Sequence, residues 1–170
     1  HFHIYMMSTC SLSCDLLQTH TLENRDTLHL LSQLKRIPSH NCLNHRASFK
    51  FPWKNETIIP MQKKETTCFQ RQMLQQIFSL LNVQDNRAAW NNTVLDKLLS
   101  KLGQSLKRLR PRKKETPFCR SWGVAVRSYF HAILHYLQEK EYSACAWEVV
   151  RKEIESSFSL LSNPQTTVGQ

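Results

Sequence analysis

Two histidines, His131 and His135, stand four residues apart in a run that reads as helix. Side chains at i and i+4 share a helical face, so the pair has the spacing of a zinc clamp. A zinc hydrolase also needs a general base. Ala132 stands where a zincin carries that glutamate, and no third ligand is evident. The pair therefore reads as a solvated helix face. There is no G-x-S-x-G nucleophile turn and no glycine-rich phosphate loop. No paired carboxylates sit in apolar surroundings that would raise a pKa. These residues point to no enzyme, no metal site and no cofactor.

The six cysteines are the second source of chemistry. Cys42 lies at the start of a long connection and Cys145 at the start of the last helix. A bridge between them would tie that connection to that helix in an oxidising compartment. Six cysteines allow many pairings, and spacing alone does not choose among them. Two glycosylation sequons, Asn55-Glu56-Thr57 and Asn91-Asn92-Thr93, point to export. Residues 1–13 carry no acid, hold Phe2, Ile4, Tyr5, Met6 and Met7, and end in Ser11-Leu12-Ser13. That pattern reads as the tail of a signal peptide cut before Cys14, the alternative being an N-terminal extension. On this reading the protein is secreted, Cys10 leaves with the leader, and the folded domain covers 14–162, followed by a flexible tail over 163–170.

Charge is the third. The chain has 23 Lys and Arg against 13 Asp and Glu, a net +10. Its densest basic feature holds Lys107, Arg108, Arg110, Arg112, Lys113 and Lys114. Such a run can retain sulfated glycans or nucleic acid. No aromatic residue interleaves it to stack bases, so heparan sulfate is the better match for a secreted protein. Cations at a helix C-terminus also favour the negative end of its dipole.

These residues must be carried by a scaffold, and 170 residues suit one domain. Only three glycines exclude most folds built on tight turns or phosphate loops. No apolar run approaches the about 20 residues of a membrane helix, so no membrane insertion is expected. Apolar spacing instead reads as five helices. The first covers 15–36, with Leu28, Leu31 and Leu34 on one face, and ends at Ile37-Pro38. A connection over 38–64 shows no helical period and alternates Phe49, Phe51 and Trp53 around Pro52, which argues against a central strand. Helices follow over 65–81, 90–109, 121–140 and 144–162, the one over 90–109 interrupted by Gly103. Five amphipathic helices with one long crossover predict an all-α, up-up-down-down cytokine bundle.

Tyr129-Phe130-His131-Ala132-Ile133-Leu134-His135-Tyr136-Leu137 and Tyr142-Ser143-Ala144-Cys145-Ala146-Trp147-Glu148-Val149-Val150-Arg151 resemble the signature of type I interferons. Asn41-Cys42-Leu43 with Arg46, Leu74-Gln75-Gln76-Ile77-Phe78 and Ala88-Ala89-Trp90 extend the likeness over about 14–164, to alpha, omega or delta-like members. The resemblance implies a monomeric cytokine that binds both chains of the type I interferon receptor and signals through receptor-associated kinases. It implies a Cys42–Cys145 disulfide. The family's second bridge starts at the N-terminal cysteine, here Cys14, but its partner position near Arg112 holds no cysteine; Cys119 is the expected replacement, which leaves Cys68 unpaired or competing for Cys14. Leu43, Arg46, Arg151 and Lys152 fall on the face that meets the high-affinity receptor chain. Phe78 and Arg127 fall on the face for the other chain. Lys152, Glu155, Ser156, Leu99 and Gly103 depart from residues usual on those faces and imply weaker receptor engagement than a typical alpha member.

Overall fold

The computed structural model describes residues 24–52, 63–83, 90–111 and 117–161; side chains are described from 66 in the second stretch and from 119 in the last. Cys10, Cys14, Asn55, Arg112, Lys113, Lys114 and the segments 1–13 and 163–170 lie outside them. Among the described residues there are five α-helical segments, one 3-10 segment and no strand. The described part of α1 covers 24–33. The 3-10 segment is Ser39–His45. Then come α2 (Lys63–Leu81), α3 (Asn92–Arg108), α4 (Pro117–Glu139) and α5 (Ala144–Leu161).

Each helix forms where an apolar stripe recurs at helical spacing. On α2 the buried set is Phe69, Met73, Leu74, Ile77, Leu80 and Leu81. On α3 it is Leu95, Leu98, Leu99 and Leu102. Fully burying each of these side chains is worth about 1.5–3 kcal/mol. The starts are chemically marked. Asn91 caps α3: its Oδ1 accepts the N–H groups of Thr93 and Val94 at 3.0 and 3.2 Å. Pro117 occupies the first position of α4, where a missing N–H costs nothing. Ser143 caps α5, its Oγ accepting from the Ala146 N–H at 3.1 Å.

Side-chain contacts fix the direction of every helix. Cys68 and Phe69 of α2 meet Cys119 and Trp122 of α4, so these two run side by side in parallel. Tyr129 of α4 bonds Glu153 and Ser157 of α5 around a short joint, so α4 and α5 are antiparallel. Gln70 near the start of α2 donates to the Leu161 carbonyl at the end of α5. Arg151 of α5 donates to the Leu31 carbonyl near the end of α1. Trp90, just before α3, packs 5.2 Å from Trp147 in the first turn of α5. Thus α1 and α2 point one way and α3 and α5 the other, the up-up-down-down order, with α4 running alongside α2. The joint between α4 and α5 turns through left-handed φ values at Glu141 and Tyr142, 52° and 54°, without a glycine.

The long connection contains no strand among its described residues. Phe49 packs edge-on against Tyr136, and Phe51 against Phe69 and Tyr129. These rings strap the connection across the bundle. A disulfide joins Cys42 to Cys145, with Cα atoms 5.3 Å apart. A second joins Cys68 to Cys119, with Cα atoms 5.8 Å apart. This corrects the expected Cys14–Cys119 bridge and the unpaired Cys68. The parallel packing of α2 and α4 brings both residues, each buried, to facing positions near the two helix starts.

Candidate functional site

The connection after α1 reaches α5 as the 3-10 segment Ser39–His45. Such segments are weak on their own. Pro38 gives this one no side-chain cap, and Cys42 breaks its helical dihedrals at φ −115° and ψ 23°. Its order comes from outside. At its start, the Ser39 hydroxyl donates to Glu148 Oε2 at 2.9 Å. In its middle, Cys42 is bonded to Cys145. At its end, the Tyr136 hydroxyl donates to the His45 carbonyl at 2.5 Å. Burial pushes the Tyr136 phenol above its ordinary pKa, which keeps that donor protonated.

Between this segment and α5 lies a concavity of about 400 Å³. One wall is Ser39, His40, Cys42, Leu43, Arg46 and Ala47; the other is Glu148, Val149, Lys152 and Glu153. Leu43 stands 52% exposed beside it, and Arg46 and Lys152 are exposed on opposite walls. A large apolar side chain held out in water at a concavity that also carries two cations suits a partner with an apolar socket and nearby carboxylates.

Arg151 does not join this surface. It is 3% exposed, which corrects its expected role as a direct donor to a partner. Its Nε and Nη2 donate to Glu148 Oε1 and Oε2 at 2.9 and 2.6 Å. Its Nη1 donates to the Leu31 carbonyl at 3.3 Å and to Glu155 Oε2 at 3.2 Å. Burial disfavours the Glu148 carboxylate, but the bonds from Arg151 and Ser39 outweigh it and hold the pKa below the usual carboxylate range. Hydrogen bonding to Glu148 raises Arg151 in turn, against burial. The acid at Glu155 thus completes an ion triad. The triad joins α1, the 3-10 segment and α5.

Next to it, burial and a hydrogen bond to Glu153 push the Tyr129 phenol far above its ordinary pKa. The same hydroxyl lies 2.7 Å from Ser157 Oγ.

Phe78 and Arg127 lie elsewhere, on the neighbouring helices α2 and α4. Phe78 is half-buried against the core. Arg127 is exposed, and its guanidinium covers Gly123: a Cβ there would meet Nη1 at 3.2 Å. Leu99 is buried in the core, and a Cβ added at Gly103 would meet nothing within 4 Å. His131 and His135 are exposed on α4, and His135 Nε2 sits 3.0 Å from Glu139 Oε1. Lys107, Arg108 and Arg110 are exposed at the end of α3. No helix among the described residues is long and apolar enough to cross a membrane.

Ser39, Glu148 and Tyr136 hold the 3-10 segment in place, and the sequence pattern does not single them out. A signal existed for one of them: Glu148 and Arg151 have the i, i+3 spacing of a helical ion pair.

The model of the interferon alpha/beta domain matches residues 16–168. Human interferon alpha-7 is 43% identical over 163 residues, covering 92% of this chain and 86% of the relative. Pig interferon alpha-1 is 40% identical over 163 residues, covering 92% and 86%. Zebrafish interferon 2 superposes with a TM-score of 0.66 over 82% of this chain and 94% of its own, at 24% identity, a likeness of fold. By domain match and by identity to these relatives, the chain belongs to the interferon alpha/beta family.

Proposed function

We propose that the protein is a secreted, monomeric cytokine that binds both chains of the type I interferon receptor. Bringing the chains together activates their associated kinases and induces antiviral, antiproliferative and immunomodulatory genes. It acts by binding rather than catalysis. The observation that carries this reading, beside family membership, is the exposed Leu43 on a segment pinned to α5, with Arg46 on the same wall of the concavity and Lys152 on the facing one. These three residues make the high-affinity contact, and Phe78 and Arg127 contribute to the second. The mature domain covers 14–162, after a leader ending at 13 and before a tail over 163–170.

Two accessory properties belong to the same reading. Asn91 carries a glycan: its capping bonds use Oδ1, whereas the glycan bond forms at Nδ2. Asn55 is the second acceptor. The exposed Lys107, Arg108 and Arg110 run on in sequence into Arg112, Lys113 and Lys114 and support retention on heparan sulfate.

The test is reporter induction in cells that bear the receptor, with and without an antibody that blocks its high-affinity chain. Induction that the antibody abolishes is expected. No induction, with heparin retention intact, would show that charge rather than receptor engagement is the protein's activity.

A further inference from the structure

We infer that Ser39 and Glu148 are positioning residues for the docking surface, and that the hydrogen bond between them sets the separation of its two walls. The inference rests on the docking reading given above. Ser39 is the first residue of the 3-10 segment and Glu148 lies one turn into α5. Both line the concavity, and their 2.9 Å bond joins its two walls at one point. Glu148 is itself held in place: it is 4% exposed and bonded on both oxygens by Arg151. Arg151 is anchored in turn to the Leu31 carbonyl of α1. Ser39 is therefore attached to a fixed point of the bundle.

The rest of the segment cannot supply that order. It has no side-chain cap, and its dihedrals break at Cys42. The disulfide fixes one point only, three residues further on. A hinge at Cys42 would leave Leu43 and Arg46 free to move with the segment unless its ends were held as well. Ser39 holds one end, and Tyr136 holds the other at the His45 carbonyl. A surface ordered before binding avoids the cost of ordering it during binding. Ser39 and Glu148 thus act through Leu43 and Arg46 rather than by touching the partner.

The experiment uses the full chain with Ser39→Ala, Ser39→Thr and Leu43→Ala. Two quantities are read: amide hydrogen exchange over 40–46 in the free protein, and affinity for the purified extracellular region of the high-affinity receptor chain. Ser39→Ala is expected to speed exchange over 40–46. It should weaken binding by roughly threefold to tenfold, the worth of one hydrogen bond. Ser39→Thr keeps the hydroxyl and should restore both. The inference is overturned if Ser39→Ala exchanges and binds like the parent. It is also overturned if exchange rises with affinity unchanged, or if affinity falls with exchange unchanged, since the latter marks a direct contact. Leu43→Ala separates the two readings: full affinity in that variant removes the docking surface itself, whatever Ser39 does.

Discussion

Replacing Cys68 and Cys119 together by alanine should remove a large share of the stability while leaving the docking surface in place. The bridge spans a sequence separation of 51, and the Cys42–Cys145 bridge spans 103. In the loop-closure account these correspond to about 4 and about 4.7 kcal/mol. For a chain of this size the inner pair is then worth about 8–16 °C in melting temperature. The assay is urea unfolding at neutral pH without reductant, followed by tryptophan fluorescence. The companion variant, Cys42→Ala with Cys145→Ala, should lose slightly more stability. It should also lose receptor affinity, because the 3-10 segment is then held only at Ser39 and His45. The reasoning fails if the inner pair costs less than about 1 kcal/mol. It fails equally if, at a temperature where both variants are folded, the inner pair loses as much affinity as the outer one. The docking surface would then not lie at the Cys42–Cys145 end of the bundle.

Arg151→Met should destabilise by about 3–5 kcal/mol, since it leaves Glu148 charged and buried; replacing Glu148 by leucine as well should recover much of that loss in the same urea titration. The Glu148 carboxyl is held below its ordinary value of 4.5, so the stability from its bonds is present above that pH and lost as pH falls through the lowered value. The urea midpoint should change little on this account from about pH 7 to 5 and drop in stronger acid, and Glu148→Gln should flatten the drop. Gly103→Ala should raise stability by about 1 kcal/mol, because the position is inside α3 and an added Cβ meets nothing within 4 Å. In protein made by a secreting animal cell, Asn91→Asp should lose one glycan by mass yet keep its cap, whereas Asn91→Ala should lose the glycan and about 1 kcal/mol.

The helices after the first crossover were legible because each buries one stripe at a 3.6-residue period, and that period is written in the sequence. On α4, for example, Val126, Tyr129, Phe130, Ile133 and Leu137 are all buried. The described part of α1 ends at 33, before the Ile37-Pro38 stop, and the chain then turns so that Ser39 meets Glu148. The 3-10 segment was not legible: its order comes from partners over ninety residues away in sequence, and no local period encodes that. Arg151 read as a surface residue because an arginine is rarely buried without a partner; the partners here are a carboxylate three residues before it and a carbonyl on another helix. Leu43 needed both sources. Its position came from the resemblance, and its exposure came from the fold. The Cys68–Cys119 bridge depends on α2 and α4 running in parallel, a fact of topology that pairwise spacing does not hold.

The two disulfides are nested: 68 and 119 both lie between 42 and 145. A chain made from its N-terminus presents Cys119 before Cys145. The inner bridge can therefore close while the last helix is still being synthesised, and the outer one can follow without undoing it. Neither closure requires threading one loop through another. The hazard during synthesis is the interval in which Cys42 and Cys68 have emerged but neither native partner has. A bond between them in that interval would trap the crossover on α2, and it would have to be reshuffled before Ser39 could reach Glu148. The order in which the sulfurs appear thus favours the native pairing and marks early pairs among Cys14, Cys42 and Cys68 as the ones an isomerase must correct.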